Sequence, residues 1–182
     1  MTEYKFTKDW FNWAPPVWEQ LTPMLSGEAG SRNFLEIGSF EGRSTVWTLE
    51  NMMQDGDFIH CIDTWEGGEE HSAENMSEVE ERFDRNIAAA IMKYSNAMGS
   101  RRWVEKYKGA SVQQLAHWLV EAPENHAFFD FIYIDGSHIA KDVMTDACMA
   151  WPLLKIEGLM VFDDYMWGNP RDALHRLSLI HI

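Results

Sequence analysis

From residue 33 onward the chain alternates short apolar runs with amphipathic stretches, and no other feature restricts its possible folds as tightly. Asn33–Ile37, Asp57–Ile62, Trp103–Tyr107, Phe128–Ile134 and Leu159–Phe162 read as five strands. Helical patterns fall between them, over about 43–53, 76–94, 111–120 and 139–150, with a polar loop at Thr64–Asn75. Strands alternating with helices build a parallel sheet covered on both faces. Phe128–Ile134 is almost continuously apolar, as a strand buried on both faces must be. The expected class is α/β, a Rossmann-like doubly wound parallel sheet. In such sheets ligands bind beyond the carboxyl ends of the strands. Here those ends are polar: Glu36 and Gly38, Asp63, Gly109 and Ser111, Asp135 and His138, Asp163 and Asp164.

A length of 182 residues suits one folding unit. We divide it into an aromatic-rich helical cap over 1–32 and a sheet-bearing part over 33–182. The cap contains Trp10, Phe11, Trp13 and Trp18, with Pro15-Pro16 suited to a helix start and Pro23 to its interruption. Simple packing on the sheet is favoured for these rings over a pocket-capping role or a dimer contact. Fifteen Lys and Arg against 29 Asp and Glu leave a net charge of −14. Such a surface repels nucleic-acid backbones, so no nucleic-acid partner is expected. No apolar stretch approaches the ~20 residues of a membrane helix, and no signal peptide is visible, so a cytoplasmic protein is expected. Cys61 and Cys148 lie in apolar segments without zinc spacing and read as reduced core residues. The stripe Ile87, Ile91, Met92 and Tyr94 also reads as core. The acidic run Glu66–Glu81 reads as a solvated loop and helix face.

The first strand runs into Leu35-Glu36-Ile37-Gly38-Ser39-Phe40-Glu41-Gly42-Arg43-Ser44-Thr45. Glycines there let the backbone turn sharply and approach a ligand. Asp63, 27 residues after Glu36, ends the next strand and can accept hydrogen bonds from ribose hydroxyls. A pyrophosphate-binding turn needs glycine where Phe40 stands. An acidic residue two before the first glycine suits a ligand with a cationic amino-acid tail, and S-adenosylmethionine is such a ligand.

LEIGSFEGRST, IDTWEGGEEH, YIDGSH and VFDDY, in that order, resemble the successive motifs of class I S-adenosylmethionine-dependent methyltransferases. The nearest group is the small-molecule O-methyltransferases that include the macrolide-sugar enzymes and are related to catechol- and caffeoyl-CoA-type enzymes. The resemblance covers about residues 33–168. It implies that Glu36, Gly38, Ser39 and Gly42 line the methionine part of S-adenosylmethionine, with Ser44 and Thr45 opening the helix that faces it. Asp63 would hold the ribose, Thr64 and Trp65 would flank the adenosine, and Gly109, Ala110 and Ser111 would meet the adenine. Asp135 would border the cofactor as well.

Asp135 and the pair Asp163-Asp164 follow neighbouring buried strands. Strands in a sheet lie about 4.8 Å apart, so these tips can gather three carboxylates around one point. Like charges that close demand a cation or a raised pKa. All-oxygen donors suit Mg²⁺ or a similar hard ion rather than zinc. The resemblance implies the same metal ligands, Asp135, Asp163 and Asp164, and casts His138 as the catalytic base beside Asp135. The expected reaction is transfer of a methyl group to a hydroxyl of a small molecule such as a sugar, glycoside or catechol. A degenerate methyltransferase fold that only binds, and a nucleotide-dependent oxidoreductase, are the alternatives. Eighteen residues follow Asp164, too few for the antiparallel hairpin that closes the class I sheet. The fold is therefore expected to be shortened after strand 5 or 6, with an end that is either native or cut. A bared sheet edge and nine Trp residues favour a homo-oligomer.

Overall fold

The computed structural model describes residues 4–25, 31–68, 75–95, 101–122 and 126–163. Strands β1 (Asn33–Ile37), β2 (Phe58–Asp63), β3 (Trp103–Lys108), β4 (Phe129–Ile134) and β5 (Leu154–Phe162) form one sheet in the order β3-β2-β1-β4-β5. Every pairing is parallel. The chain steps outward from β1 to β3 and then crosses back to β4. The order therefore reverses beside β1, which places a crevice between the tips of β1 and β4.

The helices are α1 (Pro15–Leu21), α2 (Arg43–Asn51), α3 (Met76–Ser95), α4 (Ser111–Val120) and α5 (Ala140–Ala150). Successive strand residues point to opposite faces, so each strand feeds two apolar layers. Phe34, Cys61, Phe131 and Tyr133 join Trp18, Leu49 and Phe83 on one side. Leu35, Ile37, Ile62, Ile132 and Ile134 join Leu115, Trp118 and Val143 on the other. The N-terminal helix belongs to the first layer. Its Trp18 packs edge-on against Phe131 at 5.3 Å and Tyr133 at 4.7 Å. Pro15 opens α1, and a 3₁₀ turn over Thr22–Leu25 containing Pro23 follows it.

Four sequence expectations need correction. Cys148 is exposed, whereas Cys61 is buried. The buried residues of α5 are Val143, Asp146 and Ala150, a helical stripe that leaves position 148 on the outer face. Met92 is 59% exposed, so it leaves the stripe that Ile87 anchors in the core. The rings of the N-terminal segment divide: Phe11 and Trp18 are buried, while Trp10 and Trp13 are about half exposed. Strand β5 starts five residues earlier than expected. Its first half carries an irregularity opposite Phe129–Phe131, with Glu157 at φ 65°, which disguises it as a loop in the sequence. Asp164 and the rest of the C-terminal stretch, 165–182, lie outside the described residues. No described helix is long and apolar enough to cross a membrane.

Candidate active site

The strand tips meet through backbone contacts. Gly38 N–H donates to Ile62 O at 2.8 Å, Asp135 N–H to Ile37 O at 2.8 Å, and Gly109 N–H to Asp63 O at 2.9 Å. Asp163 N–H donates to Ile134 O at 3.1 Å. Gly38 has φ +88°, and a Cβ built on it would stand 2.1 Å from the Asp135 carbonyl oxygen. Only glycine allows the β1 turn to lie directly against the β4 tip.

Glu36 is 2% exposed beneath this turn. Ser39 Oγ donates to one of its oxygens at 2.7 Å and Ser44 Oγ to the other at 2.5 Å, and Thr45 Oγ1 adds a third donor. Burial raises the Glu36 pKa above its ordinary value, and the three hydroxyls oppose that rise. These residues form a knot that joins the β1 tip to the first turn of α2. Gly42, left-handed at φ 77°, caps that helix.

Asp63 braces the same turn from β2. Its Oδ2 accepts from Ser39 N–H at 2.8 Å and Phe40 N–H at 2.9 Å, and its Oδ1 from Trp65 N–H at 2.7 Å. Phe40 has φ 47°, the left-handed backbone that a glycine would adopt without strain. Two tethers hold it there besides the Asp63 bond. Trp65 Nε1–H donates to Phe40 O at 2.8 Å, and Trp10 packs on the Phe40 ring at 5.1 Å. Trp65 itself is 3% exposed and packs on Phe83 at 4.9 Å. Its ring is core, and its indole N–H serves the turn. Thr64 lies between, with Oγ1 accepting from Glu66 N–H at 3.1 Å.

At the β3 tip a recess of about 130 Å³ is lined by Ile62, Tyr107, Lys108, Gly109, Ala110, Gln113 and Gln114. Gly109 and Ala110 are thus in its wall. Ser111 is turned away, donating through Oγ to Asp146 at 2.6 Å. Its lining mixes the side chains of Ile62 and Tyr107 with the Lys108 ammonium and the amides of Gln113 and Gln114.

The fourth and fifth tips are joined by a residue that sequence reasoning missed. Tyr133 Oη lies 3.2 Å from Asp135 Oδ2 and 2.5 Å from Asp163 Oδ1, so its one proton is shared between the two carboxylates. The two carboxylate oxygens are therefore at most about 6 Å apart. Two carboxylate charges at that separation repel by roughly 3 kcal/mol at an effective dielectric near 20. Burial first, then Asp135 and Asp163, push the Tyr133 phenol well above its ordinary pKa. The signal was present in YIDGSH: positions 133 and 135 share a strand face. His138 is half-buried just beyond, in the turn before α5, and Ser137 Oγ accepts from Ile139 N–H at 3.1 Å. Among the described residues no three His, Cys, Asp or Glu side chains form a metal-sized group. Asp135 and Asp163 supply two oxygen-bearing side chains suited to a hard cation, and Asp164 is outside the described set.

A family model described as a methyltransferase domain matches residues 35–165. No curated protein matches the sequence. Among solved structures, MycE methyltransferase from the mycinamycin biosynthetic pathway, in complex with Mg and SAH, superposes with a TM-score of 0.52 at 18% identity, over 90% of this chain and 36% of that one. The MycE complex with Mg, SAH and mycinamycin VI gives 0.51 at 17% identity, over 93% and 36%. The O-methyltransferase NovP gives 0.51 at 16% identity, over 83% of this chain and 64% of that one. The chain thus spans little more than a third of MycE. The family match includes the tips of all five strands, and with the sheet order it leads to one assignment: this chain belongs to the methyltransferase-domain family and has the class I S-adenosylmethionine-dependent methyltransferase fold.

Proposed function

We propose that the chain carries the catalytic core of an S-adenosylmethionine-dependent O-methyltransferase acting on a small-molecule hydroxyl, with a divalent cation and His138 as base. The observation that carries this reading is the junction at Gly38. It presses the Glu36–Thr45 knot directly against the tip bearing Asp135, so a cofactor-type turn and an acidic pair share one crevice. S-adenosylmethionine, when bound, supplies a methyl group on a positively charged sulfur, a good leaving group. A divalent cation, when bound, lowers the pKa of a hydroxyl that meets it.

The protein's own residues then have distinct tasks. Glu36, Ser39, Ser44 and Thr45 hold the turn, and Gly38 and Gly42 let the methionine part approach it. Three of the roughly four lone-pair sites on Asp63 are engaged by backbone N–H groups, so it would meet a ribose with its remaining capacity. Gly109 and Ala110 would border the adenine. Asp135, Asp163 and Asp164 would hold the cation, with Mg²⁺ the ion their chemistry suits. His138, whose type titrates near neutrality, would take the acceptor's proton. Two neighbouring oxygens favour chelation, which points to a sugar, glycoside or catechol-like acceptor. The MycE complex with mycinamycin VI supports a small molecule in that role. The charge of −14 supports an acceptor other than nucleic acid, and the buried free thiol of Cys61 supports a reducing, cytoplasmic setting.

The test is transfer of labelled methyl from S-adenosylmethionine to a panel of catechols and hydroxylated glycosides. EDTA should abolish transfer and Mg²⁺ should restore it. His138→Ala and Asp163→Asn should each lose about 100-fold or more while S-adenosylhomocysteine still binds in calorimetry. Turnover that survives exhaustive chelation overturns the metal role. A chain that does not bind S-adenosylhomocysteine overturns the whole reading.

A further inference from the structure

Resting on the cation site of the preceding section, we propose that Tyr133 is a positioning residue for that site: its buried hydroxyl shares its one proton between Asp135 and Asp163 and holds the two strand tips convergent. The placement follows from the sheet. Tyr133 and Asp135 alternate onto one face of β4, and Tyr133 pairs with Val161 of β5. Asp163, two residues beyond Val161, therefore comes out on that same face. The phenol oxygen sits beneath the gap between the two tips, within hydrogen-bond distance of both.

The ring is fixed from below. Tyr133 is 1% exposed and meets Trp18 edge-on at 4.7 Å, so the core and not the solvent sets the position of its hydroxyl. A neutral donor is the group such a place needs. It offsets the repulsion between the carboxylates without adding a positive charge that would compete with a cation. Hydrogen-bonding partners behind metal ligands commonly change affinity by about 10–100-fold when removed.

Tyr133→Phe keeps the ring and its packing and deletes the donor. Mn²⁺ is the probe, with free Mn²⁺ read by electron paramagnetic resonance on the full chain. Calorimetry with S-adenosylhomocysteine in EDTA and a melting curve in EDTA accompany it. The expected result is Mn²⁺ affinity weakened by about tenfold or more, with S-adenosylhomocysteine affinity held within about twofold. Equal Mn²⁺ affinity in both proteins overturns the clamp and leaves the cation reading standing. Parallel loss of cofactor and cation affinity marks general loosening and also overturns it. A wild-type chain that binds no Mn²⁺ overturns both. An ultraviolet difference spectrum of the wild type on adding Mg²⁺ is a second readout that does not depend on the variant folding. A saturating tyrosine perturbation is expected, and a flat spectrum overturns the proposal.

Discussion

Glu36 shows how burial and hydrogen bonding act together on one carboxylate. The fold buries its carboxylate and then answers both oxygens with hydroxyls from Ser39, Ser44 and Thr45. Its folded pKa is raised, so the native state holds a proton more tightly than the unfolded chain. The stability this contributes is full below the unfolded value of about 4.3 and is lost as pH rises through the folded value. Glu36→Gln removes that dependence. Its stability relative to wild type should therefore rise as pH increases above about 4.5 in urea titrations, and a flat difference would refute the assignment. Phe40 makes a related point. A residue with a large side chain keeps a left-handed backbone because Asp63, Trp65 and Trp10 hold it.

The elements are tied at their other ends as firmly as at the tips. Arg32, just before β1, donates through its backbone N–H to Asp57 at 2.8 Å, and its guanidinium donates to the same carboxylate at 2.6 and 3.0 Å. The guanidinium also reaches Met52 O at the end of α2, and Gln54 N–H donates to Asp57 at 2.7 Å. Asp57 is 1% exposed, so the pair is shielded from solvent. Removing one partner of such a pair strands a buried charge. Asp57→Ala should lower unfolding free energy by about 3 kcal/mol or more in urea, and a loss under about 1 kcal/mol would show that the pair does not lock β1 to β2. Near the Gly38–Gly42 turn, Glu41 is the equivalent tie. It accepts from Thr7 of the N-terminal segment and from Arg82 of α3, linking both to the α2 entrance.

For the whole molecule the dominant quantity is charge. A net −14 spread over one small unit repels itself at neutral pH. Local pairings relieve part of it: Glu80 with Lys106 and Lys108, Glu78 with Arg82, and Lys155 with Asp130. The surplus remains long-ranged and open to screening. The Debye length shrinks from about 30 Å at 0.01 M salt to about 8 Å at 0.15 M. The melting temperature at pH 7.5 should therefore rise as sodium chloride is added over that range. A fall would mean that the surface ion pairs outweigh the net repulsion.

The strands from β1 to β4, the intervening helices and the polar tips were legible in the sequence. Their signals are local: an apolar run, a helical period, a glycine after a strand. The fold class followed from those signals alone. What the sequence could not show depends on which strand lies beside which. Tyr133 reaches Asp163 across 30 residues of chain, and Asp63 reaches the Phe40 turn across 23. The exposed face of Cys148 and the irregular first half of β5 depend equally on neighbours far along the chain. Sequence by itself determined what each strand end offers. The tertiary structure decided which ends stand together, because adjacency in a parallel sheet is set by crossovers and core packing between distant residues.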